Sequence, residues 1–159
     1  MRFCLLDRIL ELEPGIRVTA AKRLRPDEDY LKDHFPRFPV MPGVLMLEAM
    51  FQASAWLVRQ TEGFVHSVVV LKEARNIKYA DFVTPGKELV VSAEVLKQDD
   101  TLTTLKAQGL IDGNVAVNGR LILERFNLAD CYPKRRNTDP YLRAEMRDVL
   151  KTLLPPQLH

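Results

Sequence analysis

The feature that most constrains the fold of this chain is a run of fifteen residues, Val44–Val58, in which twelve side chains are apolar. Apolar residues placed around the whole circumference predict a helix that is buried on all sides. Pro42 and Gly43 mark its beginning. The window 40–58 is long enough to cross a bilayer, but Glu48 lies near its centre, where a carboxylate costs about 3 kcal/mol. We therefore interpret it as the core helix of a soluble domain, without a membrane span.

Several other segments have the composition and alternation of β-strands. Before the helix, Ile16–Leu24 follows a Pro-Gly turn at 14–15. After the helix, four segments are predicted strands: Val65–Tyr79, Glu88–Lys97, Thr101–Ile111 and Asn114–Phe126. Two inward faces follow from the alternation: Leu89, Val91, Ala93 and Val95 on one strand, and Val115, Val117, Leu121 and Leu123 on another. Asp112-Gly113 predicts a tight hairpin between the last two strands.

Antiparallel strands at these spacings predict a meander, and one apolar helix precedes them. We therefore predict an α+β fold in which a curved antiparallel sheet wraps around one long central helix. The opening segment, Phe3–Leu12, is predicted as one or two helical turns. Four prolines between residues 26 and 42 exclude a continuous helix there.

The chain divides into a domain at 1–126 and a basic tail at 127–159. Asp139-Pro140 predicts the start of a C-terminal amphipathic helix, with Asp139 as its cap. Pro155-Pro156 predicts its end. The apolar positions of this helix have helical spacing and must pack on the same chain or on another subunit: Leu142, Met146, Val149, Leu150 and Leu153.

Composition excludes several classes of function. The net charge of +2 is too small to indicate nucleic acid as the main partner. The two cysteines, Cys4 and Cys131, lie far apart and outside any C-x-x-C spacing, so a disulfide framework or zinc site is not expected. A reducing cytoplasm is the simplest location. The apolar run near the N-terminus ends at Asp7 and is too short for a signal peptide.

Candidate chemistry centres on His34 and Glu48, which flank the predicted helix start at Gly43. Burial disfavours an unpaired carboxylate and raises its pKa, so Glu48 suits a general acid. A neutral imidazole accepts a proton near pH 7, so His34 suits a general base. The first N–H groups of a helix are unpaired, and Gly43 leaves them open to a developing oxyanion. These groups suit removal of a proton beside a carbonyl with loss of a β-hydroxyl.

Two plainer interpretations stay open at this point. His34 can be a structural or solvated loop histidine. Glu48 can be neutralised by Arg75 or Arg120 in a structural ion pair. Neither the spacing nor the pattern identifies a substrate.

The segment from His34 to Gln52, HFPRFPVMPGVLMLEAMFQ, resembles the signature of the FabZ-type β-hydroxyacyl-acyl carrier protein dehydratases, within the FabA/FabZ family. The segments Leu5–Glu11 (LLDRILE) and Val83–Leu89 (VTPGKEL) also resemble that family. The resemblance covers roughly residues 3 to 126. It implies a hot-dog fold and a homodimer, or a trimer of dimers, with each active site at the dimer interface.

The resemblance also implies roles for individual residues. His34 and Glu48 match the catalytic pair, Gly43 matches the backbone donor at the helix start, and Gln52 matches the glutamine one turn after the acid. Phe35 and Val44 flank these positions as substrate-binding candidates. The implied reaction converts a (3R)-3-hydroxyacyl thioester on acyl carrier protein to the trans-2-enoyl thioester. It uses no metal and no organic cofactor.

Three departures from the family pattern bear on the partner. Asp33 and Phe38 stand where the family often has Gly and a second His. Residues 80–82 stand where the family often has Arg-Arg, which leaves the docking of an acidic carrier protein open. The basic run at 134–136 is interpreted as a solvated charge cluster rather than as a docking site. The alternative functions are a hydratase or thioesterase acting on coenzyme A esters, and a non-catalytic module that binds acyl chains.

Overall fold

A six-stranded antiparallel sheet curves around one long helix in the computed structural model, which describes residues 4–156. The strands are β1 (Arg8–Glu13), β2 (Arg17–Arg23), β3 (Val68–Tyr79), β4 (Glu88–Gln98), β5 (Leu102–Ile111) and β6 (Asn114–Phe126). The helices are α1 (Gly43–Thr61), α2 (Leu128–Cys131) and α3 (Thr138–Leu153), with 3-10 turns at Asp29–Lys32 and Pro133–Arg135. The predicted α+β architecture is confirmed.

The central helix α1 begins where Pro42-Gly43 predicted and contacts all six strands. Residues 52–58 are all buried, as expected for a helix that is apolar all round. The Ser54 hydroxyl is satisfied by a 2.8 Å hydrogen bond to the Met50 carbonyl, so it is buried without an unpaired donor. The first turn differs from the prediction, because Val44 is 65% exposed. The helix is therefore exposed to solvent at both ends, at Val44 in its first turn and at Gln60 in its last turn.

Strand β3 lies at an edge of the sheet, outside the predicted meander order. The strand order is β1-β2-β4-β5-β6-β3, so only β4, β5 and β6 form a meander. Strand β3 pairs with β6, and β2 takes the place beside β4. The connection from β3 to β4 therefore spans the positions of β6 and β5, and the twelve-residue strand β3 lies at one edge of the sheet.

The sequence prediction was wrong for the opening segment and for one residue of β6. Residues 8–12 of the predicted helical turns belong to β1, which pairs with β2; Phe3 lies outside the described residues. On β6, Val115 is 38% exposed rather than buried. A bulge between Gly109 and Leu110 on β5 leaves Ala116 as an extra residue on β6, and Ala116 is buried instead. A one-residue shift exchanges the two faces of a strand.

The C-terminal helix α3 packs on its own chain, with Leu150 and Leu153 in the main core. Its predicted cap was wrong, because the helix begins at Thr138 and Asp139 lies inside the first turn. The Asp139 carboxylate instead accepts a 2.5 Å hydrogen bond from the Ser67 hydroxyl. It also accepts hydrogen bonds from the backbone N–H groups of Leu128 and Ala129. Asp139 therefore joins α3 to α2 and to the segment before β3.

Within residues 4–156, no helix has both the length and the hydropathy needed to cross a membrane.

Candidate active site

The loop that carries His34 is held by backbone hydrogen bonds on both sides. The Val40 N–H donates to the His34 carbonyl at 3.1 Å, and the Met41 N–H donates to the Val83 carbonyl at 2.9 Å. The His34 ring nitrogen Nδ1 lies 3.2 Å from the Val40 carbonyl oxygen. Because a carbonyl only accepts hydrogen bonds, this contact requires the proton on Nδ1. The neutral ring then presents an unprotonated Nε2, the nitrogen that can act as a base.

Glu48 and Gln52 lie one turn apart on α1 and are bonded to each other. The Gln52 side-chain nitrogen Nε2 donates to Glu48 Oε1 at 3.1 Å. The Gln52 side-chain oxygen accepts a 2.8 Å hydrogen bond from the Leu5 N–H. Gln52 is only 6% exposed, whereas Glu48 is half-buried. The Gln52 amide thus fixes one carboxyl oxygen of Glu48 and leaves the carboxyl group facing a cleft.

The first turn of α1 lies against Tyr79, the last residue of β3. A Cβ atom on Gly43 would be 3.0 Å from Cε1 of the Tyr79 ring, so this close approach favours glycine. The N–H groups of Leu45 and Met46 both donate to the Pro42 carbonyl, at 2.9 and 3.3 Å. The N–H groups of Gly43 and Val44 precede these and have no partner within the helix. They are the backbone donors that a developing oxyanion could use.

Glu48 lines a cleft of about 280 Å³ that runs along α1 beside β3. Phe51, Trp56, Arg59 and Val69 form much of its wall. His34 is not among the lining residues, and no hydrogen bond within residues 4–156 joins it to Glu48. Within residues 4–156 of one chain, Glu48 is hydrogen-bonded to Gln52 and the His34 ring stacks on Phe35, whereas His34 neither lines the Glu48 cleft nor hydrogen-bonds to Glu48.

The two arginines considered as structural partners of Glu48 lie elsewhere. Arg75 pairs with Glu73 through a 2.7 Å contact between Arg75 Nε and Glu73 Oε1. Arg120 is exposed on β6, opposite Lys106 of β5. The ion-pair interpretation of Glu48 is therefore wrong for these two residues.

An exposed aromatic patch surrounds the start of α1, and sequence reasoning did not find it. We use this name for Phe35, Phe38, Tyr79 and Phe82, each of which is more than half exposed. The Phe35 ring stacks on the His34 ring with centroids 4.4 Å apart. The Phe38 and Phe82 rings meet edge to face at 6.2 Å. Large exposed apolar surfaces are typical of binding sites for a ligand or another protein.

Among the described residues, no group of three or more His, Cys, Asp or Glu side chains is placed to hold a metal ion.

The family model described as a FabA-like domain matches residues 1–124 of this chain. The chain belongs to the FabA-like family. Two curated relatives of this FabA-like protein carry the name 3-hydroxyacyl-[acyl-carrier-protein] dehydratase FabZ. The protein from Ruminiclostridium cellulolyticum is 36% identical over 119 residues, which cover 75% of this chain and 84% of the relative. The protein from Nitrosospira multiformis is 37% identical over 121 residues, which cover 74% and 83%.

Solved structures confirm the fold of the FabA-like protein. The dehydratase heterocomplex ApeI:P from Xenorhabdus doucetiae matches with a TM-score of 0.62 and 22% identity, over 78% of this chain and 84% of that one. The TT0310 protein from Thermus thermophilus matches with a TM-score of 0.59 and 17% identity, over 77% and 93%. The predicted hot-dog fold is thus confirmed. Helices α2 and α3 lie beyond the part that the family model matches.

Proposed function

We propose that this FabA-like protein is a hydro-lyase that converts (3R)-3-hydroxyacyl thioesters on acyl carrier protein to trans-2-enoyl thioesters, in fatty acid biosynthesis or a related lipid or polyketide pathway. One observation carries the proposal: His34 Nδ1 lies 3.2 Å from the Val40 carbonyl oxygen, a contact that favours the proton on Nδ1 and leaves Nε2 as a base. The curated relatives named as dehydratases support the same reaction.

The proposed mechanism uses one base, one acid and the start of α1. His34 Nε2 removes a proton from C2 of the acyl chain. A protonated Glu48 donates its proton to the hydroxyl on C3, which leaves as water while the double bond forms between C2 and C3. The N–H groups at Gly43 and Val44 stabilise the negative charge that develops on the thioester oxygen. The mechanism needs no metal or organic cofactor.

We propose that a complete active site forms between two copies of the chain. His34 lies outside the cleft that Glu48 lines, so a second copy is needed to bring a His34 to each Glu48. The cleft opens beside β3, a long strand at the edge of the sheet whose unpaired backbone groups can pair with another strand. The aromatic patch supplies apolar surface for contact at the same end of α1. A homodimer would account for the separate positions of His34 and Glu48, for the unpaired edge of β3 and for the exposed aromatic patch. The dimer can exist by itself or as part of a trimer of dimers.

We further propose that the protein is cytoplasmic and that its chain divides into a catalytic domain and a C-terminal tail. Cys4 and Cys131 are both free, which fits a reducing cytoplasm. We assign the dehydratase site to residues 1–126 and a packing role to 127–159, since Leu150 and Leu153 of α3 lie in the same core.

The test is to incubate the purified protein with a 3-hydroxyacyl group on acyl carrier protein and to record two signals. Dehydration produces the ultraviolet absorbance of an enoyl thioester without release of a thiol. Release of a free thiol would instead show a thioesterase, and no change in either signal would contradict the proposed reaction and favour a non-catalytic module. The same acyl group attached to coenzyme A is the comparison substrate. If kcat/KM is higher with the coenzyme A ester than with the carrier protein, coenzyme A rather than the carrier protein is the natural acyl carrier.

A further inference from the structure

The cleft that begins at Glu48 contains a cation that the proposed mechanism does not use. Arg59 lies eleven residues after Glu48 on α1, which places it about 16 Å further along the helix. Both side chains line the same cleft, together with Phe51 and Trp56 between them. An acyl chain that has its C3 hydroxyl at Glu48 and follows this cleft reaches Arg59 with its far end.

The Arg59 guanidinium is held in place by an aromatic ring and has no ion-pair partner among the described residues of one chain. Its Cζ atom lies 4.9 Å from the centroid of the Trp56 ring, and Trp56 is fully buried. This cation–π contact uses the flat face of the guanidinium. The N–H donors point outward in the plane of the guanidinium and stay available for a ligand. Within residues 4–156, no carboxylate lies within ion-pair distance of Arg59 and no side-chain or backbone oxygen accepts a hydrogen bond from it.

The carboxylate whose charge acts on Arg59 has one oxygen, Oε2, engaged by other groups, while its Oε1 atom has no hydrogen-bond partner among the described residues. Glu62 lies three residues further on, but its Oε2 atom is 3.3 Å from Arg125 Nε and 2.9 Å from His66 Nδ1. Burial lowers the pKa of Arg59 to about 10, although the charge of Glu62 acts in the opposite direction. The position of Arg59 in the last turn of α1 is favoured by the helix dipole, but the dipole satisfies none of the guanidinium donors.

We infer that Arg59 is a specificity-determining residue, and that the cleft accepts hydroxyacyl chains whose far end carries a carboxylate. An anionic end would form charge-assisted hydrogen bonds with the guanidinium. A methyl end would bury those donors without a partner, which costs free energy. The inference rests on the proposed function for the direction of the chain, and on the cleft alone for the anion site.

Ligand binding tests the anion site independently of turnover. Trp56 is the only tryptophan in the sequence, so intrinsic fluorescence reports on this cleft. Octanoate and its uncharged amide are titrated into the full-length protein. Octanoate should bind at least about tenfold more tightly than octanamide, the effect of one hydrogen bond to a charged group. Arg59→Leu should reduce this ratio to near one, and Arg59→Lys should retain part of it.

The matched control is Arg147→Leu. Arg147 also lies over an aromatic ring, 5.4 Å from the centroid of Phe64, but outside the Glu48 cleft. This variant should keep the wild-type ratio. If Arg59→Leu does not fold, Arg59→Gln keeps a planar neutral donor of shorter reach and should likewise lose the preference. Equal binding of both probes by the wild type, or the same ratio in Arg59→Leu, would overturn the inference.

Turnover separates this inference from the proposed function. The wild type is assayed with 3-hydroxyhexadecanoyl carrier protein, whose chain is long enough to span the roughly 16 Å from Glu48 to Arg59, and with the same chain ending in a carboxylate. At least about tenfold higher kcat/KM for the carboxylate form, reversed in Arg59→Leu, would support both. Dehydration of both substrates at equal kcat/KM would overturn the inference and leave the proposed function standing. A preference for octanoate without any enoyl product would retain the anion site and overturn the proposed function.

Discussion

The side-chain amide of Gln52 donates a 3.1 Å hydrogen bond to Glu48 across one turn of α1, and its oxygen accepts a hydrogen bond from the N–H of Leu5. The carboxyl proposed as the general acid is therefore linked through one buried side chain to the segment that precedes β1. The position of Glu48 depends on the folding of a distant part of the chain as well as on its own helix.

Replacing Gln52 with leucine should lower both stability and activity. The Leu5 N–H loses its acceptor, and an unsatisfied buried donor lowers the free energy of unfolding by about 1–3 kcal/mol. Glu48 also loses the group that orients it, so kcat/KM should fall by about tenfold or more. Urea denaturation and the enoyl absorbance assay measure the two effects. Gln60→Leu, at an exposed position of the same helix, is the control and should change neither quantity.

Removing either proposed catalytic group should lower kcat/KM by at least about 100-fold while the protein stays folded. The variants are His34→Ala and Glu48→Gln, and Glu145→Gln on the exposed face of α3 is the control. Activity of either variant close to that of the wild type would contradict its assigned role.

Mixing these two inactive variants should restore activity if each site takes residues from two chains. In a mixed dimer, one site combines His34 of one chain with Glu48 of the other and is intact, while the second site lacks both. Random exchange should therefore give about a quarter of the wild-type activity. Mixing after mild dissociation, followed by the enoyl assay, provides the measurement. No recovery in a sample whose subunits have exchanged would contradict a site shared between copies.

Adding a methyl group at Gly43 should crowd Tyr79. The new Cβ atom would lie 3.0 Å from the Tyr79 ring, which is 51% exposed and can turn away at a cost of about 1 kcal/mol. Gly43→Ala should also lower kcat/KM, because the methyl group narrows access to the first N–H groups of α1. Tyr79→Ala combined with Gly43→Ala should recover the lost stability in thermal melts. Strictly additive losses would contradict the contact.

The Asp139 contact should make the stability of the fold depend on acid. Burial alone would raise the pKa of Asp139, but hydrogen bonds from Ser67, Ala129 and Leu128 outweigh it and hold the pKa below its usual value. A pKa lowered by folding stabilises the native state above the unfolded value of about 4, and this stabilisation is lost as the pH falls through the folded value. Melting curves of the wild type and Asp139→Asn should differ at pH 7 and converge as the pH falls through the lowered pKa of Asp139. A difference that is constant with pH would contradict this role.

Local periodicity correctly predicted the helices and strands whose hydrophobic pattern is contained within their own residues. The apolar circumference at 44–58 predicted α1, and the alternation at 88–97 predicted β4 with its buried face. The turn at Asp112-Gly113 was predictable because both residues take positive φ, at 51° and 80°, as a tight hairpin requires.

Features that depend on distant partners could not be predicted in the same way. The segment 8–13 satisfies helical and strand patterns alike, and it forms β1 because β2 pairs with it. The edge position of β3 depends on pairing with β6, which its own sequence does not specify. Asp139 has the local pattern of a helix cap, but the N–H groups of α2 compete for its carboxylate.

The candidate site also contains features with a local sequence signal and features that depend on distant residues. The bond between Glu48 and Gln52 could be expected from their spacing of four residues on a helix. The protonated nitrogen of His34 depends on the Val40 carbonyl, and the aromatic patch depends on the meeting of two loops, so neither has a local signal.

The separation of β3 from β6 along the chain has a consequence for biosynthesis. A ribosome releases Val68–Leu71, an apolar stretch of β3, long before it releases the β6 residues that pair with it. Until then the nascent polypeptide exposes an unpaired apolar strand, because some fifty residues separate this strand from the β6 residues that pair with it. Exposed apolar strands of this kind are prone to aggregate and are typical substrates of chaperones. A gene fragment that stops before codon 114 would leave this segment permanently without its neighbour and should yield inclusion bodies rather than a smaller folded domain.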